Sequence, residues 1–122
     1  MPAQKKTLVL GASENPSRYA NMAIRRLRQY GHPVVGLGLR KGQVMDVDIT
    51  TERSPLEDVD TVTLYMRAEN QEPYLDYILA LKPKRIIFNP GTENMKLETL
   101  AEEQGIQCLE ACTLVMLGSG QY

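Results

Sequence analysis

Thr7-Leu8-Val9-Leu10-Gly11-Ala12-Ser13-Glu14-Asn15-Pro16-Ser17-Arg18 is the stretch on which the fold turns. A short apolar strand stops at a glycine, and a polar turn then leads into a helical segment rich in arginine. Nucleotide-binding α/β domains begin in this order. The carboxyl end of the strand and the N-terminus of the next helix enclose a phosphate-sized space in which free N–H groups favour an anion. The G-x-G-x-x-G fingerprint is absent, since Gly11 is the only glycine of the stretch, so an ordinary dinucleotide site is not expected.

Outward from this stretch, strand and helix signals alternate, which favours a parallel sheet with crossover helices. Ala20, Ala23, Ile24, Leu27 and Tyr30 recur at helical spacing, and Gly31 follows as a natural C′ residue. His32-Pro33 turns the chain into a second strand, Val34–Leu37. Residues 44–49 read as one short edge strand, 54–58 as a turn or short helix, and 61–65 as an inner strand. Pro73 suits the first turn of a helix carrying Tyr74, Leu75, Ile78 and Leu79, which Lys82-Pro83 ends. Arg85–Phe88 is another strand. Asn94 caps a helix bearing Leu97, Leu100 and Ala101, closed by Gly105, and 106–109 is the last strand. The tail, 113–117, reads equally as a short helix or an extended segment. The expectation is a single α/β domain over residues 1–122, three-layered and Rossmann-like. It has a mostly parallel sheet of five or six strands with helices on both faces.

Composition narrows the function. With 122 residues the chain suits one domain, and 43% hydrophobic with 24% charged residues is ordinary for a globular protein. A formal charge of −1 argues against a general nucleic-acid binder. No apolar run approaches the ~20 residues of a membrane span, and Met1-Pro2-Ala3-Gln4-Lys5-Lys6 has no signal-peptide core behind it. Cys108 and Cys112 do not make a secreted disulfide framework. A cytoplasmic protein is expected.

In an open parallel sheet the ligand lies beyond the carboxyl ends of the strands, near the point where strand order reverses. Those ends carry Gly11, Ser13, Asn15 and Arg18, then Arg40, Lys41 and Gly42, then Met66, Arg67 and Asn70, and last Asn89, Pro90, Gly91 and Thr92. The second strand's end discriminates between cofactors. An NAD site places a carboxylate there for the ribose hydroxyls, whereas Gly36-Leu37-Gly38-Leu39-Arg40-Lys41-Gly42 offers two adjacent cations. Cations suit a phosphorylated ribose, as in NADP or the 3′-phospho-ADP part of coenzyme A, although a solvated loop would show the same pair. Asn89-Pro90-Gly91-Thr92 reads as a tight turn or as a glycine that lets a ligand approach the backbone. Arg25, Arg26 and Arg28 read as an exposed helix face, and His32 as a turn residue. Cys108-x-x-x-Cys112 has the wrong spacing for zinc and reads as two small buried residues. No metal site is expected, and no nucleophile is held by a base and a third orienting group.

In this order, Gly11-Ala12-Ser13-x-Asn15-Pro16-x-Arg18, Lys41-Gly42, Met66-Arg67, Asn89-Pro90-Gly91-Thr92-Glu93-Asn94, Ala101-Glu102-Glu103-x-Gly105-Ile106 and Cys112-Thr113-Leu114 resemble the small stand-alone CoA-binding protein family. That family is similar to the N-terminal CoA-binding domain of the succinyl-CoA synthetase α subunit. The resemblance implies a CoA nucleotide lying across the strand ends. It places Gly11, Ser13, Asn15 and Arg18 at the phosphates and Arg40 and Lys41 at the phosphorylated ribose. Met66 and Arg67 would lie by the adenine or diphosphate, and Asn89 and Gly91 on the far wall. Two departures stand out. The family often has Asn-Pro where this chain has Gly38-Leu39, and the synthetase's phosphohistidine belongs to a second domain, so ligase activity is not implied. The reading is a non-catalytic binder of coenzyme A or an acyl-CoA. The rivals are a small NADP-binding protein and a regulatory or interaction module with a vestigial pocket.

Overall fold

The computed structural model describes residues 3–122; Met1 and Pro2, which head the N-terminal stretch read above, lie outside them. Seven strands form one sheet: Thr7–Leu10 (β1), Val34–Leu37 (β2), Gly42–Val44 (β3), Val47–Thr50 (β4), Thr61–Leu64 (β5), Arg85–Phe88 (β6) and Gln107–Glu110 (β7). Their order is β3-β4-β2-β1-β5-β6-β7, and every neighbouring pair is parallel except β3 with β4. The helices are Tyr19–Gln29 (α1), Ala68–Gln71 (α2), Leu75–Leu81 (α3), Met95–Glu103 (α4) and Thr113–Gly118 (α5), with a 3-10 turn at Glu72–Tyr74 between α2 and α3. The three-layer, mostly parallel α/β fold expected from the sequence is the one observed. The chain builds outward from β1 in one direction to β2, β4 and β3, and in the other to β5, β6 and β7. The reversal of strand order therefore falls between β1 and β5.

The strand count exceeds the five or six expected because residues 44–49 do not make one edge strand. Val44 and Val47 both point inward and pair with each other across a tight turn, so an apparently continuous run is a hairpin. Met45 takes φ +54° in that turn without being glycine. Arg28 clamps it by donating from Nε and Nη2 to the two oxygens of the Asp46 carboxylate, at 2.9 and 2.8 Å. This pairing raises the Arg28 pKa and lowers that of Asp46. Arg28 is therefore not simply part of an exposed helix face, as Arg25 and Arg26 are.

Alternation along the strands separates two cores. Leu8, Leu10, Val62, Leu64, Ile86 and Phe88 face α3 and α4, meeting Leu75, Ile78, Leu97 and Ala101. Val9 and Ile87 face the opposite way, toward Ala20, Ile24 and Leu27 of α1 and Met116 and Leu117 of α5. The tail is helical because its apolar residues complete this second core. Among the described residues no helix is long and apolar enough to cross a membrane.

His32 is more than a turn residue. It is buried ahead of β2, its Nδ1 accepts the Lys5 N–H at 3.0 Å, and its ring packs 4.9 Å from that of Tyr122. Burial, then the charges of Lys5 and Arg85, push its pKa below the usual histidine value. The folded state thus prefers the neutral ring, while the unfolded chain begins to bind a proton near pH ~6.5. The stability from this site is complete above that pH and is lost as pH falls through it toward the lower folded value. Urea unfolding at pH 7.5 and 5.5 should show a larger loss for the parent than for His32→Asn, which keeps an acceptor but cannot titrate. Equal losses would exclude the site as the acid-sensitive element.

Candidate functional site

The switch point fixes where the first loop must go. Gly11 takes φ +93°, and a Cβ on it would lie 3.0 Å from the Tyr65 carbonyl carbon and 3.1 Å from its oxygen. The ends of β1 and β5 therefore meet backbone to backbone, as only glycine permits. The Gly11 and Ala12 N–H groups both donate to Leu37 O, at 2.8 and 3.1 Å, which ties this loop to the end of β2. Beyond them the loop shapes itself. The Asn15 N–H donates to Ser13 Oγ, while Asn15 Oδ1 accepts from Ser17 N–H and Ser17 Oγ. The Asn15 side chain is thus a scaffold for the turn. The N–H groups of Ser13 and Glu14 have no acceptor among the described residues, nor do those of Tyr19 and Ala20 in the first turn of α1. Arg18 is the N-cap of α1 and supplies no side-chain cap, which leaves those helix donors free.

The second loop brings the cations. Arg40 and Lys41 are exposed, and neither they nor Arg18 form an ion pair among the described residues. Gly38 lies beneath the first loop, so close that a Cβ would stand 2.3 Å from Ala12 O. Glu14 crosses from the first loop to the head of β3, where its Oε2 accepts the Gln43 N–H at 2.8 Å.

The third and fourth loops form the other wall. Met66 is half-buried against the α3–α4 core, and exposed Arg67 pairs with Glu69 at 3.1 Å. Asn89-Pro90-Gly91-Thr92 is a tight turn in which the Thr92 N–H reaches Asn89 O at 3.0 Å and Gly91 takes φ +90°. Nothing lies within 4 Å of a Cβ placed on Gly91, so that side of the turn is open. The Gly91 N–H points at the Glu93 carboxylate, 3.1 Å from Oε1. Asn89 is buried with its amide engaged inside the protein. Its Nδ2 donates to Thr63 Oγ1 and Leu64 O, and its Oδ1 accepts the Thr113 N–H. It fastens α5 and β5 to this loop and sets the wall's position from within.

One residue that organises the site was not evident from the sequence. Gln71 is fully buried; its Nε2 donates to Met66 O and Thr92 O, each at 2.8 Å, and its Oε1 accepts from Asn94 Nδ2. Asn94 Oδ1 then caps α4 through the Leu97 N–H. Gln71 thus clamps the third loop to the fourth. The available signal was a polar residue on the buried face of a helical segment.

The histidine and one of the two thiols are set apart from these loops, whereas the Glu14 and Glu93 carboxylates and Cys112, at the head of α5, stay at this edge. His32 is at the opposite edge of the sheet, ahead of β2. Burial, aided by Glu102 and Glu98, pushes the half-buried Cys108 thiol up to about 11, so it holds its proton at neutral pH. Among the described residues no three His, Cys, Asp or Glu side chains are gathered as a metal site would need. Two open depressions of about 500 and 660 Å³ also lie at the strands' N-terminal edge, lined in part by Lys82 and Lys84. Neither contains a candidate residue. Lys6, Lys82 and Lys84 beside them form no ion pair among the described residues either, but the free N–H groups of the first loop and of α1 lie at the other edge, with Arg18, Arg40 and Lys41.

This is the doubly wound α/β class, with the loops after β1 and β5 meeting at the switch point. The family described as CoA binding domain matches residues 5–118, and the chain belongs to that family. It is similar to a crystal structure of an uncharacterized protein, with 50% identity over 99% of this chain and 100% of that one and a TM-score of 0.96. It also resembles a hypothetical protein from Pyrococcus horikoshii OT3, at 21% identity, 95% and 83% coverage and TM-score 0.85. A protein from Thermus thermophilus matches at 22% identity, 98% and 91% coverage and TM-score 0.81. The last two likenesses bear on the fold alone. A search of curated proteins finds no match.

Proposed function

We propose that this chain is a cytoplasmic protein that binds coenzyme A or an acyl-CoA and performs no chemistry on it alone. The observation that carries the reading is a convergence at one edge of the sheet. Unpaired Arg18, Arg40 and Lys41 stand there with the unengaged N–H groups of Ser13, Glu14, Tyr19 and Ala20, in a member of the CoA binding domain family. These donors fit the diphosphate at the helix N-terminus and a further phosphate at the end of β2. Two free cysteines suit a reducing compartment. The remote histidine and the protonated Cys108 support a carrier or sensor whose bound CoA is used or read by a partner chain.

A thermal-shift panel of CoA, acetyl-CoA, NADP, NAD and ATP tests this directly. CoA or acetyl-CoA at a hundred times its dissociation constant should stabilise the fold by about 2.7 kcal/mol, with NAD leaving it unchanged. A shift with NADP and none with either thioester or free CoA would overturn the reading. So would thiol release from acetyl-CoA catalysed by the isolated chain.

A further inference from the structure

Glu14 has the wrong charge for an anion cleft, yet its side chain is seated there with care. Its carboxylate accepts the Gln43 N–H at 2.8 Å and its side chain lies against Gly42, where a Cβ would be 2.3 Å from Glu14 Cδ and 2.4 Å from Cγ. The missing side chain at Gly42 is therefore what lets the carboxylate reach this place. Arg40 and Lys41 immediately precede its landing point, and Glu14 forms no ion pair with either. One of its two oxygens remains without a partner among the described residues.

Open α/β nucleotide sites use a carboxylate near the end of the second strand to accept a ribose hydroxyl. Here that position reads Gly38-Leu39-Arg40-Lys41 and holds no acid. We propose that Glu14 supplies the missing acceptor from the first loop and makes the site selective for where the ribose carries its phosphate. The inference rests on the CoA reading above. Arg40 and Lys41 take the 3′-phosphate, and Glu14 accepts a hydrogen bond donated by the free 2′-hydroxyl beside it. A ligand phosphorylated at the 2′ position would bring its phosphate to the carboxylate, where like charges repel and no proton is available to donate.

Adenosine 3′,5′-bisphosphate and its 2′,5′ isomer have equal charge and composition, so each can be titrated calorimetrically as a competitor against CoA bound to the full chain. The 3′,5′ isomer is expected to compete about tenfold or more better, the size of one charge-assisted hydrogen bond. Glu14→Gln keeps an oxygen for the Gln43 N–H and removes the charge. It should bring the isomers within about twofold, chiefly by strengthening the 2′,5′ one. Glu14→Ala should abolish the preference as well. An unchanged preference in both variants, with CoA still bound, would overturn the role of Glu14 and leave the CoA reading standing. A parent that binds CoA but does not distinguish the isomers would do the same, whereas a parent that binds no CoA would overturn both.

Discussion

Gly38→Ala is expected to destabilise the fold by about 1–3 kcal/mol or more and to weaken any ligand held by the first loop. A methyl group at this position would sit 2.3 Å from Ala12 O and 3.3 Å from Ile49 Cγ2. The obstacle is backbone, and it cannot yield freely. The Gly11 and Ala12 N–H groups are anchored on Leu37 O, and the Gly38 N–H is itself bonded to Thr50 O at 2.9 Å. Relief must come from lifting residues 11–12 away from the sheet, which moves the N–H groups of Ser13 and Glu14 with them. Gly91→Ala is the comparison: nothing lies within 4 Å of the added carbon, and only its φ of +90° opposes it. Its cost should be about 1–2 kcal/mol without the loop displacement. Denaturant midpoints of the two variants, with CoA affinities measured on the folded fraction, check the contrast. A Gly38→Ala protein as stable as the parent would show that the loop has more freedom than its hydrogen bonds suggest.

The parts of this molecule that were legible in advance are those whose signals are local. β6 reads as a strand because Arg85–Phe88 is a short β-prone run bounded by turn residues, and all four residues are indeed buried. Gly31 and Gly105 end their helices at φ +85° and +79°, and Asn94 caps α4 through the Leu97 N–H. Decisions made by distant neighbours were not legible. Val44 and Val47 fit one continuous strand until their mutual pairing folds them into a hairpin. The helix expected from Pro73 is α-helical only from Leu75, after a 3-10 turn that holds Pro73 and a separate short helix, Ala68–Gln71, whose Gln71 is held in place by carbonyls from two other loops. The tail is helical through Asn89, whose Oδ1 takes the first N–H of α5, and through Met116 and Leu117 packing in the second core. The same limit applies to the site. Strand ends could be found from the sequence, but not whether an amide there would face the cleft, as residue type alone allows for Asn89, or be used inside the protein.

Replacing Arg40 and Lys41 together by alanine is expected to erase most of the preference for CoA over dephospho-CoA with little change in melting temperature. Both side chains are exposed and without ion-pair partners, so the folded state loses little when they go. Surface changes of this kind are usually within about 0.5 kcal/mol. On the proposed reading, by contrast, the ligand's extra 3′-phosphate would find its countercharge in these two residues at the end of β2. Each charge-assisted contact contributes about 1.5–3 kcal/mol, so the parent should bind CoA about a hundredfold more tightly than dephospho-CoA, and the double variant only severalfold more. Because the cations are solvent-exposed, the parent's preference should also shrink as ionic strength rises, while the double variant responds weakly. Dephospho-CoA affinity should barely move in the variant, since on the same reading its diphosphate would rely on the loop after β1 and not on β2. Calorimetry with both ligands at two salt concentrations separates these contributions. Equal affinity of the parent for CoA and dephospho-CoA would make Arg40 and Lys41 an ordinary solvated loop.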